Sequence, residues 1–241
     1  MLFRSGGVDS STVGRLCQLA CEELRAEGYN AQFIGMRLPA GVQLDEEDAQ
    51  KALAFINADK TLTVNVGRAA NNLIMQGVEE YEHLEPEGAS LQPARVDFIK
   101  GNIKARLRMV AQYEVAAMYN ALVIGTDHNS ENVTGFFTKW GDGACDLIVL
   151  NGVNKTQVRM MARELGAPES VWSKFPTADL EELNPQKHDQ DGFGFEYDLL
   201  DKFLEGKPID QETEYKIVRQ YMITQHKRKP IVSYSPNHEL S

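Results

Sequence analysis

The sequence predicts an α/β protein: one domain, residues 1–241, with a parallel sheet, helices on both faces and a short C-terminal helical segment. Three observations carry this. Short β-branched or apolar runs alternate with longer stretches of helical periodicity. The alternation is strand–helix–strand–helix, which implies a parallel sheet with crossover helices. The polar, glycine-containing segments fall just after the strands, where such sheets bind ligands.

Met1 to Arg4 read as the end of a strand. Residues 10–28 carry Val13, Leu16, Cys17, Leu19, Ala20 and Leu24 at helical spacing and stop at Gly28, a C-cap residue. Residues 32–38 (QFIGMRL) read as a buried strand. Residues 45–58 open on Asp45, Glu46, Glu47 and Asp48, a carboxylate run suited to a helix N-terminus. Residues 61–66 (TLTVNV) alternate as a strand does, and a helix follows from about 69 to 81. Residues 85–94 read as a loop from their Pro and Gly content, and 96–120 as one long helix containing Gly101. A short strand over 121–125 leads into loop, with glycines through 134–146. A helix is expected over 155–165, a long polar loop over 174–196, and helices over 197–205 and 210–225.

Composition limits the function. The net charge of -10 disfavours a nucleic-acid partner, because phosphate backbones repel an acidic chain. No apolar run approaches the ~20 residues that span a bilayer. The N-terminus lacks a signal-peptide apolar stretch, so a soluble, cytoplasmic protein is expected, with neither nucleic acid nor membrane as partner. Cys17, Cys21 and Cys145 form no zinc-type spacing; Cys17 and Cys21, one helical turn apart, read as a small buried pair in a reducing compartment.

The densest chemistry lies in Ser5-Gly6-Gly7-Val8-Asp9-Ser10, between a strand and a helix. Two glycines let backbone approach an anion, and the helix N-terminus offers N–H donors to it. Asp9 beside phosphate calls for a magnesium ion to remove the like-charge conflict. The loop lacks the lysine of a Walker-type motif. A second cluster, 125–146, supplies Thr126, Asp127, His128, Glu131, Lys139, Asp142 and Asp146 with no amphipathic period, which suits a ligand-wrapping loop.

SGG-x-DS resembles the pyrophosphate loop of the ATP pyrophosphatase superfamily, whose fold is adenine nucleotide alpha hydrolase-like. Taken in order, SGGVDSS, RLPAGVQLDEEDAQ, GNIKARLRM, GTDHNSENVTGFFTKWGDG, FPTADLEE and TEYKIVRQYMITQHKRKP resemble the ammonia-dependent NAD synthetases, from Ser5 to about Pro230. The resemblance implies a carbon–nitrogen ligase that converts deamido-NAD to NAD with ATP and ammonia, through an acyl adenylate, releasing AMP and pyrophosphate. It implies Mg2+ at Asp9 and Glu131. It implies ATP contacts at Ser5, Gly6, Gly7, Val8, Asp9, Ser10, Arg37, Gln43, Thr126, Lys155 and Thr177. Deamido-NAD contacts fall at Arg108, Lys139, Asp146, His226 and Lys227, and Asp142 is placed to orient or deprotonate ammonium. The catalytic set is then Asp9, Glu131, Lys155 and Asp142. Loops 139–146 and 174–194 are expected lids.

A glutamine-using version would need an additional amidase domain, so ammonia is expected as nitrogen source. A homodimer sharing the dinucleotide site is implied as well. Measured against the family pattern, a helix and most of the first strand are expected to be missing ahead of Ser5, and Arg4 stands where a small or apolar residue is usual. Two alternatives stay open: a catalytically impaired ATP- or dinucleotide-binding homologue, and another adenylating enzyme with this loop, such as a GMP synthetase-like protein. Read without the resemblance, Lys155, Lys174, Arg108 and the basic run His226–Lys229 suit solvated surface positions.

Overall fold

A computed structural model describes residues 7–41, 46–86, 88–173, 181–183 and 192–233. The elements run α1 (Val8–Ala26), β1 (Ile34–Arg37), α2 (Glu46–Ile56), β2 (Lys60–Thr63), α3 (Gly67–Leu84), α4 (Pro93–Tyr119), β3 (Ile124–Gly125), α5 (Asn129–Thr134) and β4 (Leu147–Ile148). They continue with α6 (Lys155–Glu164), α7 (Glu169–Trp172), α8 (Tyr197–Leu204), α9 (Gln211–Ile223) and a 3-10 turn, Gln225–Lys227. Met1–Arg4, the expected strand end, lie outside the described residues.

The parallel α/β class holds, in two ladders. β1 pairs with β2 in parallel, Ile34 opposite Lys60 and Arg37 opposite Thr63. β3 pairs with β4 in parallel, Ile124 opposite Leu147. β4 falls beside a stretch the sequence reads as loop: two residues are too few to show alternation. β2 starts one residue earlier and stops at Thr63, well short of the expected 66, because Val64 and Val66 bond back to Arg37 and Pro39 as a connection into α3.

Helices cover both faces because strand residues alternate. Phe33 packs with α1, α2, α6 and α7 around Val13, Ala52, Ile56, Val158 and Val171. Its neighbours Ile34, Met36 and Leu38 pack with Val66 and with Ala111, Val115 and Ala116 of α4. A third cluster, Phe193, Phe195, Tyr197, Leu200 and Ile217, joins α8 and α9 to α5 through Val133 and Phe136.

The ends of the helices follow local chemistry. α1 closes in a Schellman motif: Gly28 N–H donates to the Arg25 carbonyl and Tyr29 N–H to that of Leu24, with Gly28 at φ +95°. α4 begins at Pro93, earlier than the expected 96, since proline at the first helical position loses no helix hydrogen bond. Asn120 ends it in the left-handed region at φ 48°. The short α5 lies where the sequence suggested only loop. Cys17 and Cys21 are half-buried against the first cluster rather than fully buried, and all three cysteines carry free thiols. No helix among the described residues is long and apolar enough to cross a membrane.

Gly135 terminates α5 at φ +64°, and a Cβ there would lie 2.4 Å from Cβ of Thr224 at the end of α9. Gly135→Ala must therefore shift α9 and hold a strained backbone, at a cost of about 2–4 kcal/mol. Urea unfolding of the variant against the parent chain reads that loss; an unchanged midpoint would refute the close packing.

Candidate active site

Three helix N-termini meet at one point. Asp9 is the second residue of α1, whose N-cap Gly7 offers no side chain. His128 is the N-cap of α5 and Glu131 its third residue. Lys155 is the first residue of α6. Each terminus presents N–H groups and the positive end of its helix dipole.

Lys155 is only 2% exposed, and a buried ammonium requires a partner. It has one: Nζ reaches both Asp9 oxygens, at 2.8 and 2.9 Å. The Tyr197 ring lies 5.4 Å from the same nitrogen, and His128 Nε2 lies 3.3 Å away. Burial alone would raise the Asp9 carboxyl, but Lys155 first, then His128, hold it below the usual carboxylate range. His128 is pushed down to about 3, chiefly by burial and further by the Lys155 charge, against a smaller opposing pull from Asp9. The imidazole is therefore neutral at physiological pH.

Lys155 is placed by a network that the sequence did not reveal. Its own N–H donates to Ser130 Oγ, and Ser130 Oγ–H donates to Asp201 Oδ1 at 2.8 Å. Asp201 Oδ2 accepts the Thr156 N–H, also at 2.8 Å. Asn154 caps the Gln157 N–H and receives its side chain in return, a capping box. The first three N–H groups of α6 are thus satisfied by side chains of α5, α8 and α6's own cap. Asp201 sits beyond a long polar stretch, and only its buried place on the apolar face of α8 shows its role.

The ligand-capable atoms of Asp9, His128 and Glu131 lie within 4.8 Å of one another. Two carboxylates at this spacing supply the oxygen donors that a hard divalent cation takes. Asp9 and Glu131, paired by the resemblance, are brought together; His128, counted in the 125–146 cluster but given no role there, lies beside both. A His three residues before Glu, ahead of a glycine, was the available signal for this capped turn, though His is an unusual N-cap.

The other expected residues separate into groups. Val8 and Ser10 lie in the first turn of α1, where Ser10 and Ser11 hydroxyls donate to the Gly7 carbonyl. Arg37 ends β1 and pairs with Glu46 of α2. Thr126 follows β3, half-buried. Ser5, Gly6, Gln43 and Thr177 lie outside the described residues, as does most of the expected 174–194 lid.

Of the residues expected to meet the dinucleotide, three come together across the chain. Lys139 Nζ donates to the His226 carbonyl, and Lys227 Nζ donates to the Gly135 and Phe137 carbonyls at 2.7 Å. Burial lowers the Lys227 ammonium, opposed by Asp142 nearby. Asp142 also accepts the Thr138 N–H at 3.0 Å, which ties it to the turn that carries Lys139. Arg108 is buried on α4 with Nε donating to the Leu38 carbonyl, and so is not the solvated surface cation its residue type suggests. Asp146 accepts the Val123 N–H at 2.7 Å and the Tyr113 hydroxyl at 3.3 Å, stitching β3 to the 135–146 loop.

Two outcomes follow from this geometry. A neutral His128 must charge on unfolding in acid. The unfolded chain then binds the extra proton, so stability falls as pH drops from about 6.5 toward about 3, by up to about 1.4 kcal/mol per pH unit. Asp9, held low, adds its own loss only below its unfolded range. Urea unfolding of the metal-free chain across this window, compared with His128→Asn, isolates the effect; parallel pH profiles would contradict it. Separately, Asp201→Ala leaves the Thr156 N–H and the buried Ser130 hydroxyl without their acceptor. It should cost about 1–3 kcal/mol of stability, with Asp201→Asn costing less; calorimetric melts decide the order.

The chain as a whole is similar to known proteins. The NAD synthase family model matches residues 2–231. The NH(3)-dependent NAD(+) synthetase of Aliivibrio fischeri (strain MJ11) is 52% identical over 232 residues, covering 94% of this chain and 82% of that protein. That of Shewanella halifaxensis is 53% identical, with the same coverage. The crystal structure of the NAD+ synthetase from Burkholderia pseudomallei superposes with a TM-score of 0.77 at 51% identity, covering 93% of this chain and 79% of that one. The NMN synthetase of Francisella tularensis gives the same TM-score at 30% identity, covering 97% and 87%. With a matching model over nearly its whole length and relatives at this identity, the chain belongs to the NAD synthase family.

Proposed function

We propose that this chain is the ammonia-dependent enzyme of the family, a ligase that amidates deamido-NAD to NAD at the expense of ATP. The supporting observation is the Lys155–Asp9 pair at the convergence of three helix N-termini, with Glu131 beside it. Relatives at about half identity bear the corresponding name, and this favours the reading over an impaired binder or a GMP synthetase-like enzyme.

ATP phosphates would lie against the uncapped N-terminus of α1, held by Gly7, Val8 and Ser10 together with Ser5, Gly6, Arg37, Gln43, Thr126 and Thr177. Asp9 and Glu131 would hold Mg2+, which when bound neutralises phosphate charge. Lys155 is poised to hand its charge from Asp9 to the phosphates, and its buried, low-dielectric setting strengthens that interaction. An oxygen of the nicotinate carboxylate attacks the α-phosphorus and pyrophosphate leaves. Ammonia then attacks the acyl carbon and AMP leaves. Arg108, Lys139, Asp146, His226 and Lys227 are assigned to the dinucleotide, and Asp142 to the ammonium ion. We further propose that residues 1–241 act as one domain, as a homodimer sharing the dinucleotide site, in the cytoplasm.

Turnover decides the matter. With deamido-NAD, ATP, Mg2+ and ammonium, equimolar NAD and AMP are expected, whereas the mononucleotide counterpart should be a poor substrate. Lys155→Met should lower kcat about 100-fold or more, because it removes charge stabilisation that ATP alone cannot replace. Asp9→Ala should abolish turnover. A folded, ATP-binding chain that makes no NAD would overturn the assignment.

A further inference from the structure

His128 has no role in the mechanism above, yet it is 1% exposed and touches every member of the cluster. Its ring places Nε2 3.5 Å from Asp9 Oδ1 and 3.6 Å from Glu131 Oε2. With Asp9 and Glu131 it superficially makes a His–carboxylate–carboxylate set of the kind that takes borderline transition metals. The other ring nitrogen argues otherwise. Nδ1 faces the Glu131 backbone N–H at 3.4 Å, as the acceptor half of the α5 capping box.

We propose that His128 is a positioning residue held as the Nε2–H tautomer, donating toward the Asp9 and Glu131 carboxylates and staying outside the shell of the cation they hold. This rests on the reading that those two carboxylates are the cation's ligands. Ligation through Nε2 needs its lone pair, and so needs the proton on Nδ1. That would set Nδ1–H against the Glu131 N–H, donor against donor, around a buried ring. Neither a backbone N–H nor an ammonium can accept, so the choice turns on which donor has another partner: the Glu131 N–H is fixed by its helix, whereas the Lys155 ammonium holds both Asp9 oxygens closer than Nε2 and can turn its third hydrogen to the face of Tyr197. Among the described residues, the charged and titratable groups facing the ring are Asp9 from α1, Glu131 from its own helix and Lys155 from α6, with Tyr197 from α8 edge to face at 6.1 Å. The consequence is an all-oxygen cation site, which suits Mg2+ better than zinc-like metals.

The test uses the full chain labelled with 15N-histidine, its His128 signals assigned by their loss in His128→Asn. Two-bond proton–nitrogen correlations should show the Nε2–H tautomer both metal-free and with Mg2+ and ATP. An Nδ1–H tautomer, or conversion of Nε2 to an unprotonated, metal-shifted nitrogen on adding Mg2+ and ATP, would overturn the proposal. A variant pair gives a second readout. His128→Asn keeps an N-cap acceptor but loses the distant donor, while His128→Gln carries an amide donor farther out. The Mg2+ needed for half-maximal ATP binding should rise about tenfold or more in the Asn variant and less in the Gln variant. Parent-like behaviour of both variants would also overturn it. Absence of NAD formation with the expected tautomer in place would count against the proposed function and not against this role.

Discussion

The buried ion pair between Lys155 and Asp9 is the constraint around which the rest is arranged. The two residues are 146 positions apart, and the contact joins the first turn of α1 to the first turn of α6. Removing an ammonium and a carboxylate from water costs several kcal/mol per ion, and their attraction repays it only with close geometry and further partners. Those partners are present: the Tyr197 ring flanks the ammonium, and both carboxylate oxygens are engaged. Buried charge of this kind is weak evidence for stability and better evidence for a site, because its retention is otherwise hard to explain.

The surrounding polar network serves position. Asp201 comes from α8, yet it satisfies the N-terminus of α6 and the Ser130 hydroxyl of α5 at once. The α8 segment also supplies Tyr197 beneath Lys155 and the aromatic cluster that backs α5. The C-terminal part of the chain therefore sets the geometry of a centre whose acid comes from its first helix.

The sequence made the alternation of elements legible, because long amphipathic helices and β-branched runs have distinct periods. Asp9 and Glu131 could be named because each sits in a motif that resembles the family and lies beside a strand end or a helix start, whereas Lys155 lies outside those motifs and its role came only from what the resemblance as a whole implies. What stayed hidden has physical reasons. β4 is two residues long and carries no pattern. α5 is six residues with a histidine cap, so neither propensity nor periodicity marks it. Asp201 acts through tertiary contact alone. The basic run at 226–229 reads as a solvated helix end or an anion site, and sequence could not show that the Lys227 and Arg228 side chains are turned inward.

That run bears on the centre through α5. A six-residue helix has too few internal hydrogen bonds to hold itself, so its ends must be tied from outside. At the N-terminal end the tie is the His128–Glu131 capping box. At the C-terminal end, Lys227 donates to the Gly135 and Phe137 carbonyls, and Arg228 to that of Asn132 at 2.7 Å. Cations there satisfy orphan carbonyls and oppose the negative end of the helix dipole. The same helix carries Glu131 at its other end. A ligand that drew Lys227 away from these carbonyls would loosen the turn that aims Glu131 at Asp9, so occupancy of the basic end and geometry of the acidic centre are linked through one helical turn.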